Sequence, residues 1–154
     1  MDRMASPKSV LPRIREHVQN FNYDCSSNGE SWLLQRLAAF RAAVVFDVGA
    51  NVGNWLAEAY AALSSSQFHA FEAVGSTAAM LQERFGNKPR ITTNSFGLWN
   101  KSTTITLHVW DCWSEVASYM LYTHSGRYRT VACPVQSGDE YMQSNEINRI
   151  DLQG

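Results

Sequence analysis

A carboxylate and two glycines stand close together in residues 44–55, VVFDVGANVGNW, and could form a ligand-binding turn. Asp47 follows a short apolar run, and Gly49 and Gly53 stand two and six residues after it. A glycine-rich turn between a strand and a helix lets the backbone approach a ligand closely, and the helix N-terminus adds oriented N–H groups. The same residues could instead form only a tight bend between the two elements.

The residues of this turn exclude two common phosphate-binding motifs. A dinucleotide fingerprint, GxGxxG, would need glycine at the positions of Asn51 and Asn54. A Walker loop would need GK[ST] after the turn, and this sequence is absent. Asp47 would repel a pyrophosphate but could accept hydrogen bonds from an ammonium group. The turn therefore favours a ligand with a cationic amino group, and an NAD-binding oxidoreductase is the disfavoured alternative.

A second carboxylate, Glu72, ends the segment FHAFE nineteen residues after Gly53. In a doubly wound sheet, the carboxyl ends of neighbouring strands lie beside the same crevice. A carboxylate at that position could accept hydrogen bonds from both hydroxyls of a ribose. The alternative is that Glu72 only caps or solvates a loop; the positions of Asp47, Gly49 and Gly53 favour the binding role.

The surrounding pattern predicts the elements that would position these residues. Apolar runs and helical periods alternate as strand, helix, strand, helix, strand over residues 44–48, 52–63, 67–72, 76–85 and 90–94. This order predicts an α/β fold with a mostly parallel sheet, helices on both faces and right-handed crossovers.

Residues 1–43 are predicted to form an N-terminal helical segment, ahead of a domain that spans residues 44–154. Apolar residues at helical spacing predict a first helix over residues 7–21. Ser27 and Glu30, three residues apart, predict a capping box at the start of a second helix.

Beyond residue 97 the pattern predicts an appended antiparallel hairpin. Residues 103–110 and 129–135 alternate apolar and polar side chains, which is typical of half-exposed strands. Pro134 predicts that the second of these strands is an edge strand or that the proline stands at a strand end. Ser137 and Glu140 predict another capping box, for a short helix.

These stretches together resemble the FkbM family of S-adenosylmethionine-dependent methyltransferases. The resemblance is carried by DVGANVG, FHAFE and NGESWLLQRLA, and more narrowly by GLWNKSTTITLHV and SGDEYM…RIDL. It extends from about Asn22 to Leu152. It implies a Rossmann-like class I methyltransferase fold, S-adenosyl-L-methionine as cofactor, and a hydroxyl on a small molecule or sugar as the methyl acceptor.

The resemblance also implies roles for the residues of the turn. Asp47 would lie near the methionine amino group of the cofactor. Gly49, Asn51 and Gly53 would form the turn against its methionine portion, and Glu72 would hold the ribose hydroxyls.

Other positions are implied to contact the adenosine. Ala73 and Val74 would flank it, although family members often have a proline where this chain has Ala73. Asn94, Ser95 and Phe96 follow the third strand and would lie near the adenine. The resemblance assigns no catalytic base in this sequence.

The end of the sequence departs from the family. Residues 148–152, NRIDL, begin a further predicted strand, and the sequence ends at Gly154. Family members continue into a strand reading roughly LKIDxEG and then into more strands and helices, so the resemblance implies that the C-terminal strands are missing. The alternative to an enzyme is therefore a truncated, catalytically inactive remnant. An exposed sheet edge also predicts self-association.

Charge, hydropathy and metal-ligand spacing argue against several other classes of protein. Thirteen basic and fourteen acidic residues leave a formal net charge of −1, unlike the basic surface of a nucleic-acid-binding protein. No segment reaches the roughly 18 uninterrupted apolar residues of a membrane span. The three cysteines and four histidines show no metal-ligand spacing, so no metal is predicted. A cytoplasmic location is predicted.

Overall fold

The computed structural model describes residues 27–110, 117–118 and 128–154. The helix predicted over residues 7–21 lies outside these ranges. Of the helices in the described ranges, none is both long enough and apolar enough to cross a membrane.

Helices and strands alternate through the first half of the described chain, and strands predominate in the second. In chain order the elements are α1 (Glu30–Leu37), a 3₁₀ helix (Ala38–Phe40), β1 (Val44–Val48), α2 (Asn54–Ala62), β2 (Gln67–Phe71), α3 (Gly75–Phe85), β3 (Ile91–Asn94), β4 (Gly97–Trp99), β5 (Thr103–Trp110), β6 (Ala117–Ser118), β7 (Tyr128–Ser137), α4 (Gly138–Ser144) and β8 (Leu152–Gln153). The predicted order of strands and helices between residues 44 and 94 is confirmed.

Four strands form a parallel sheet in the order β3–β2–β1–β8. The predicted α/β fold with a parallel sheet is therefore confirmed, and it is consistent with a Rossmann-like arrangement. The strand predicted to begin in NRIDL is present as the short β8, which pairs with β1 through Leu152 and Gln153.

Strand β1 is buried on both faces, as its short β-branched and aromatic run predicts. Val45 belongs to the core on the face that packs against α1, α2 and α3. Phe46, one residue further, faces the opposite way and packs with Phe71 and Tyr141 in an aromatic core. By the same alternation, Asp47 shares the face of Val45.

The capping box predicted from Ser27 and Glu30 is wrong. Helix α1 begins at Glu30, and its N-cap is Gly29, whose φ of 97° is left-handed. Ser27 therefore lies two residues before the N-cap, too early to cap the N–H of the third helical residue. The Asn28 side chain instead accepts a hydrogen bond from the Glu30 N–H at 2.9 Å.

A second sheet has the order β4–β7–β5–β6. Strand β5 pairs antiparallel with β7 along its full length, from Thr103 opposite Val135 to Trp110 opposite Tyr128, which confirms the predicted hairpin. The prediction that Pro134 marks an edge strand or a strand end is wrong, because β7 lies between β4 and β5 and continues to Ser137. Pairing with β4 begins only at Val135, so the proline lacks a β4 partner at its own position.

The capping prediction for the short helix α4 is confirmed at Ser137. The Ser137 side chain accepts a hydrogen bond from the Glu140 N–H at 3.5 Å. Ser102 completes the cap from the β4–β5 connection: its hydroxyl accepts from the Ser137 N–H at 3.1 Å and donates to the Glu140 carboxylate. The start of α4 is thus fixed to the second sheet.

Candidate functional site

The turn after β1 is held against the end of β2. The N–H groups of Gly49 and Ala50 both donate to the Phe71 carbonyl at 2.9 Å. Three residues of the turn have positive φ: Gly49 at 82°, Asn51 at 51° and Gly53 at 79°. This left-handed backbone brings the Asn51 N–H toward the end of β2, where Glu72 lies.

Glu72 bridges the two loops that follow β1 and β2. Its Oε2 atom accepts from the Asn51 N–H at 2.9 Å, and its Oε1 atom accepts from the Val74 N–H at 2.7 Å. The capping role considered for Glu72 is thus present. A carboxylate has about four lone-pair positions, so each oxygen can accept a further hydrogen bond from a ligand.

Asp47 lies almost completely out of solvent, with 4% of its surface exposed. Among the described residues, none donates a hydrogen bond to its Oδ2 atom. Burial, and then the charges of Glu72 and Glu30, raise the pKa of Asp47 to about 7. Burial also raises the pKa of Glu72, although its backbone hydrogen bonds act in the opposite direction.

A crevice of about 300 Å³ lies between the carboxyl end of the parallel sheet and the second sheet. One side of its lining consists of polar side chains or backbone atoms, from Glu72, Asn51 and Gly49. The opposite side is an apolar wall, defined by Ile105, Leu107, Val109 and Val135. The volume is at the lower end of the range for small-molecule sites.

Five of the predicted site residues line this crevice: Gly49, Asn51, Glu72, Ala73 and Val74. Asp47 is close enough for its charge to interact with Glu72, and Gly53 closes the turn through a 2.7 Å hydrogen bond to the Ala50 carbonyl. These two residues support the crevice without forming its surface.

The structure does not bring the predicted adenine-contacting residues at the end of β3 into the crevice. The Asn94 amide donates to the Ala70 carbonyl at 3.1 Å, within the sheet. Phe96 packs against Phe71 and Tyr141 in the aromatic core. Ser95 is exposed. The predicted contact of these residues with an adenine therefore has no support in the lining of the crevice.

Sequence reasoning missed the apolar wall. The alternation in residues 103–110 indicated that one face of β5 would be apolar, but it did not indicate what that face covers. The wall adjoins the crevice because β5 and β7 fold back over the carboxyl end of the parallel sheet, and this placement depends on contacts distant in sequence.

The described histidines take part in packing. His69 Nδ1 lies 2.8 Å from the Tyr141 hydroxyl, and burial lowers the pKa of His69. The His108 ring packs edge-on against Tyr128, with ring centroids 5.2 Å apart. Within the described ranges, no group of three or more His, Cys, Asp or Glu side chains is arranged to hold a metal ion.

No protein-family model matches this chain, and no curated protein matches it. The fold and the site define an α/β protein with an acidic crevice at the carboxyl end of a parallel sheet.

Proposed function

We propose that this chain is an S-adenosylmethionine-dependent methyltransferase of FkbM type, which binds its cofactor across the ends of β1 and β2. The observation that carries the proposal is Glu72. Its carboxylate is held at the crevice by the Asn51 and Val74 N–H groups, and it retains lone pairs for two further donors. Two adjacent hydroxyls of a ribose match this arrangement.

The strand order of the parallel sheet supports this location for the cofactor site. Strand β1 has β2 on one side and β8 on the other, so the chain crosses in opposite directions from β1. In open α/β sheets, ligands bind outside the carboxyl ends of the strands at such a switch point. The turn between β1 and α2, with Gly49 and Asn51, lies at this point.

The buried carboxyl group of Asp47 favours a ligand that carries a positive charge. A buried carboxylate oxygen without a hydrogen-bond partner is unfavourable when it is ionised. A cationic amino group close to Asp47 would supply the missing charge, as the methionine portion of the cofactor does in this proposal. A dinucleotide would instead place negative charge near two carboxyl groups.

The bound cofactor supplies the methyl group on its sulfonium, and the chain contributes binding and orientation. Glu72 fixes the ribose, the turn approaches the methionine portion, and the apolar wall excludes water from one side of the crevice. Holding reactants in one orientation removes much of the entropic part of the barrier. The proposed acceptor is a hydroxyl on a small molecule or sugar.

Calorimetric titration with S-adenosylmethionine tests the binding site. We expect saturable binding, and we expect Glu72→Ala to weaken it at least about tenfold because charge-assisted hydrogen bonds to the ribose are lost. Gly49→Val should also prevent binding, since its side chain would enter the crevice. Glu83→Ala, at an exposed carboxylate on α3, is the matched control and should bind normally.

Two results of the titration would argue against the proposed function. A folded protein, verified by circular dichroism, that gives no binding heat with S-adenosylmethionine would contradict it. Preferential binding of NAD would favour the oxidoreductase alternative. Methyl transfer from labelled cofactor to hydroxyl-bearing small molecules then distinguishes an active enzyme from a remnant that only binds the cofactor.

A further inference from the structure

We propose that Asp47, buried beside the crevice, carries a proton when no ligand is bound, and that a ligand with a cationic amino group expels this proton when it binds. The inference rests on the proposed function, because S-adenosylmethionine provides the cationic group. It concerns how binding at this site is regulated by pH, which the proposed function leaves open.

Two carboxyl groups lie close together at the ends of neighbouring strands. Asp47 is opposite Ala70 in the β1–β2 register, and Glu72 follows two residues later. Both are buried, with 4% and 8% of their surfaces exposed. Two ionised carboxylates that share a poorly solvated site repel each other, so one of them tends to remain protonated.

The hydrogen bonds show which of the two carries the proton. Both oxygens of Glu72 accept from backbone N–H groups, and such donors stabilise the ionised form. Asp47 Oδ2 accepts from no donor among the described residues. Since a neutral buried group without a partner is less unfavourable than a charged one, the proton resides on Asp47.

The charged groups that act on Asp47 come from two packed elements. Glu72 follows β2, and Glu30 is the first residue of α1; both are acidic and both oppose a negative charge on Asp47. The resulting pKa of about 7 places the loss of the proton near neutral pH. Asp47 therefore changes its charge close to neutral pH.

A bound ammonium group reverses the electrostatic balance at Asp47. The ionised form becomes favourable, the proton leaves Oδ2 for the buffer, and no covalent bond of the ligand changes. Below about pH 7 the ligand has to displace a proton, so its affinity should fall up to about tenfold for each pH unit of acidification. Above this pH the affinity should level off.

Calorimetry in buffers of different ionisation enthalpy measures the proton directly. At about pH 6, S-adenosylmethionine is titrated in phosphate and in an amine buffer. The two binding heats should differ by the difference between the ionisation enthalpies of the buffers, which corresponds to about one released proton. At about pH 8 the difference should nearly vanish. Asp47→Asn should bind about tenfold more weakly at about pH 8, without proton release at either pH. Glu83→Gln is the control that should retain the release.

The results separate this inference from the proposed function. Binding with the same heat in both buffers at about pH 6 would overturn the inference and leave the function standing. No binding in any buffer would contradict both. Carbon-13 NMR of aspartate-labelled, ligand-free protein is independent of binding: one carboxyl titrating near neutral pH, absent in Asp47→Asn, supports the inference. A spectrum without such a carboxyl overturns it.

Discussion

At the scale of single residues, the two glycines of the β1–α2 turn serve different purposes. Both have left-handed φ, 82° at Gly49 and 79° at Gly53. A Cβ atom on Gly53 would lie 2.9 Å from Leu81 Cδ1 and would collide with the Phe85 ring. A Cβ atom on Gly49 would meet nothing within 4 Å. Gly53 is thus required by the packing of α3, whereas Gly49 leaves space on the ligand side.

This difference predicts unequal effects of alanine on stability. Gly53→Ala should lower the free energy of unfolding by about 3 kcal/mol, since backbone strain adds to overpacking against α3. Gly49→Ala should lower it by only about 1 kcal/mol, because only the backbone is strained. Urea denaturation of both variants measures the difference. Equal losses of unfolding free energy in the two variants would show that contacts with α3 do not require glycine at position 53.

At the scale of elements, the cap of α4 links a helix to a sheet. Ser137 caps the helix, and Ser102 binds both the Ser137 N–H and the Glu140 carboxylate. Helix α4 also supplies Tyr141, which packs against Phe46 and Phe71 on the parallel sheet. The cap therefore fixes the second sheet relative to the aromatic core and, through it, the wall of the crevice.

Removal of either serine hydroxyl should destabilise this junction. Ser137→Ala and Ser102→Ala should each lower the free energy of unfolding by about 1 kcal/mol. The double variant should lose less than the sum of the two, because the residues share one network. Ser144→Ala, at the exposed end of α4, is the control and should change stability by less than about 0.5 kcal/mol. Strictly additive losses in chemical denaturation would contradict a shared cap.

At the scale of the whole molecule, the crevice exists because two sheets meet. The parallel sheet supplies Glu72 and the turn, and the second sheet supplies the apolar wall. Closing this space places Asp47 and Glu72 in a poorly solvated region, where the ionised form of each is disfavoured. The same packing that forms the crevice therefore makes stability depend on pH.

The sign of that dependence follows from the raised pKa of Asp47. Folded Asp47 has a pKa of about 7 against an ordinary 3.8, so its contribution to stability is complete below about pH 4 and is lost as pH rises through 7. Asp47→Asn should remove this loss and make the protein more stable than the unaltered chain at about pH 8, by on the order of 2–4 kcal/mol. Urea denaturation from about pH 4 to pH 8 measures the difference, which should grow with pH.

A control variant and the titration of His69 help to interpret this result. Glu83→Gln, at an exposed carboxylate on α3, is the matched control and should lack the gain in stability at about pH 8. His69 acts in the opposite direction: its lowered pKa means that its contribution is lost as pH falls below 6.5, and it is common to both proteins. An Asp47→Asn variant that is no more stable at about pH 8 would contradict the burial of a costly charge.

The sequence by itself determined the elements whose signals are local. The apolar run VVFDV predicted β1, helical spacing predicted α2 and α3, and alternation predicted the β5–β7 hairpin. Asn51 and Asn54 argued against a dinucleotide fingerprint, and Ser137 marked a helix start. These features depend on residues within a few positions of one another, where backbone preference and side-chain periodicity act directly.

Only the tertiary structure decided how these pieces form a site. It joined Glu72 to the Asn51 N–H, placed the wall of the second sheet opposite them, and turned Phe96 into the aromatic core instead of the crevice. It also made β7 an interior strand despite Pro134. Each of these depends on register and packing between segments that are distant in the chain, and a sequence pattern does not contain that information.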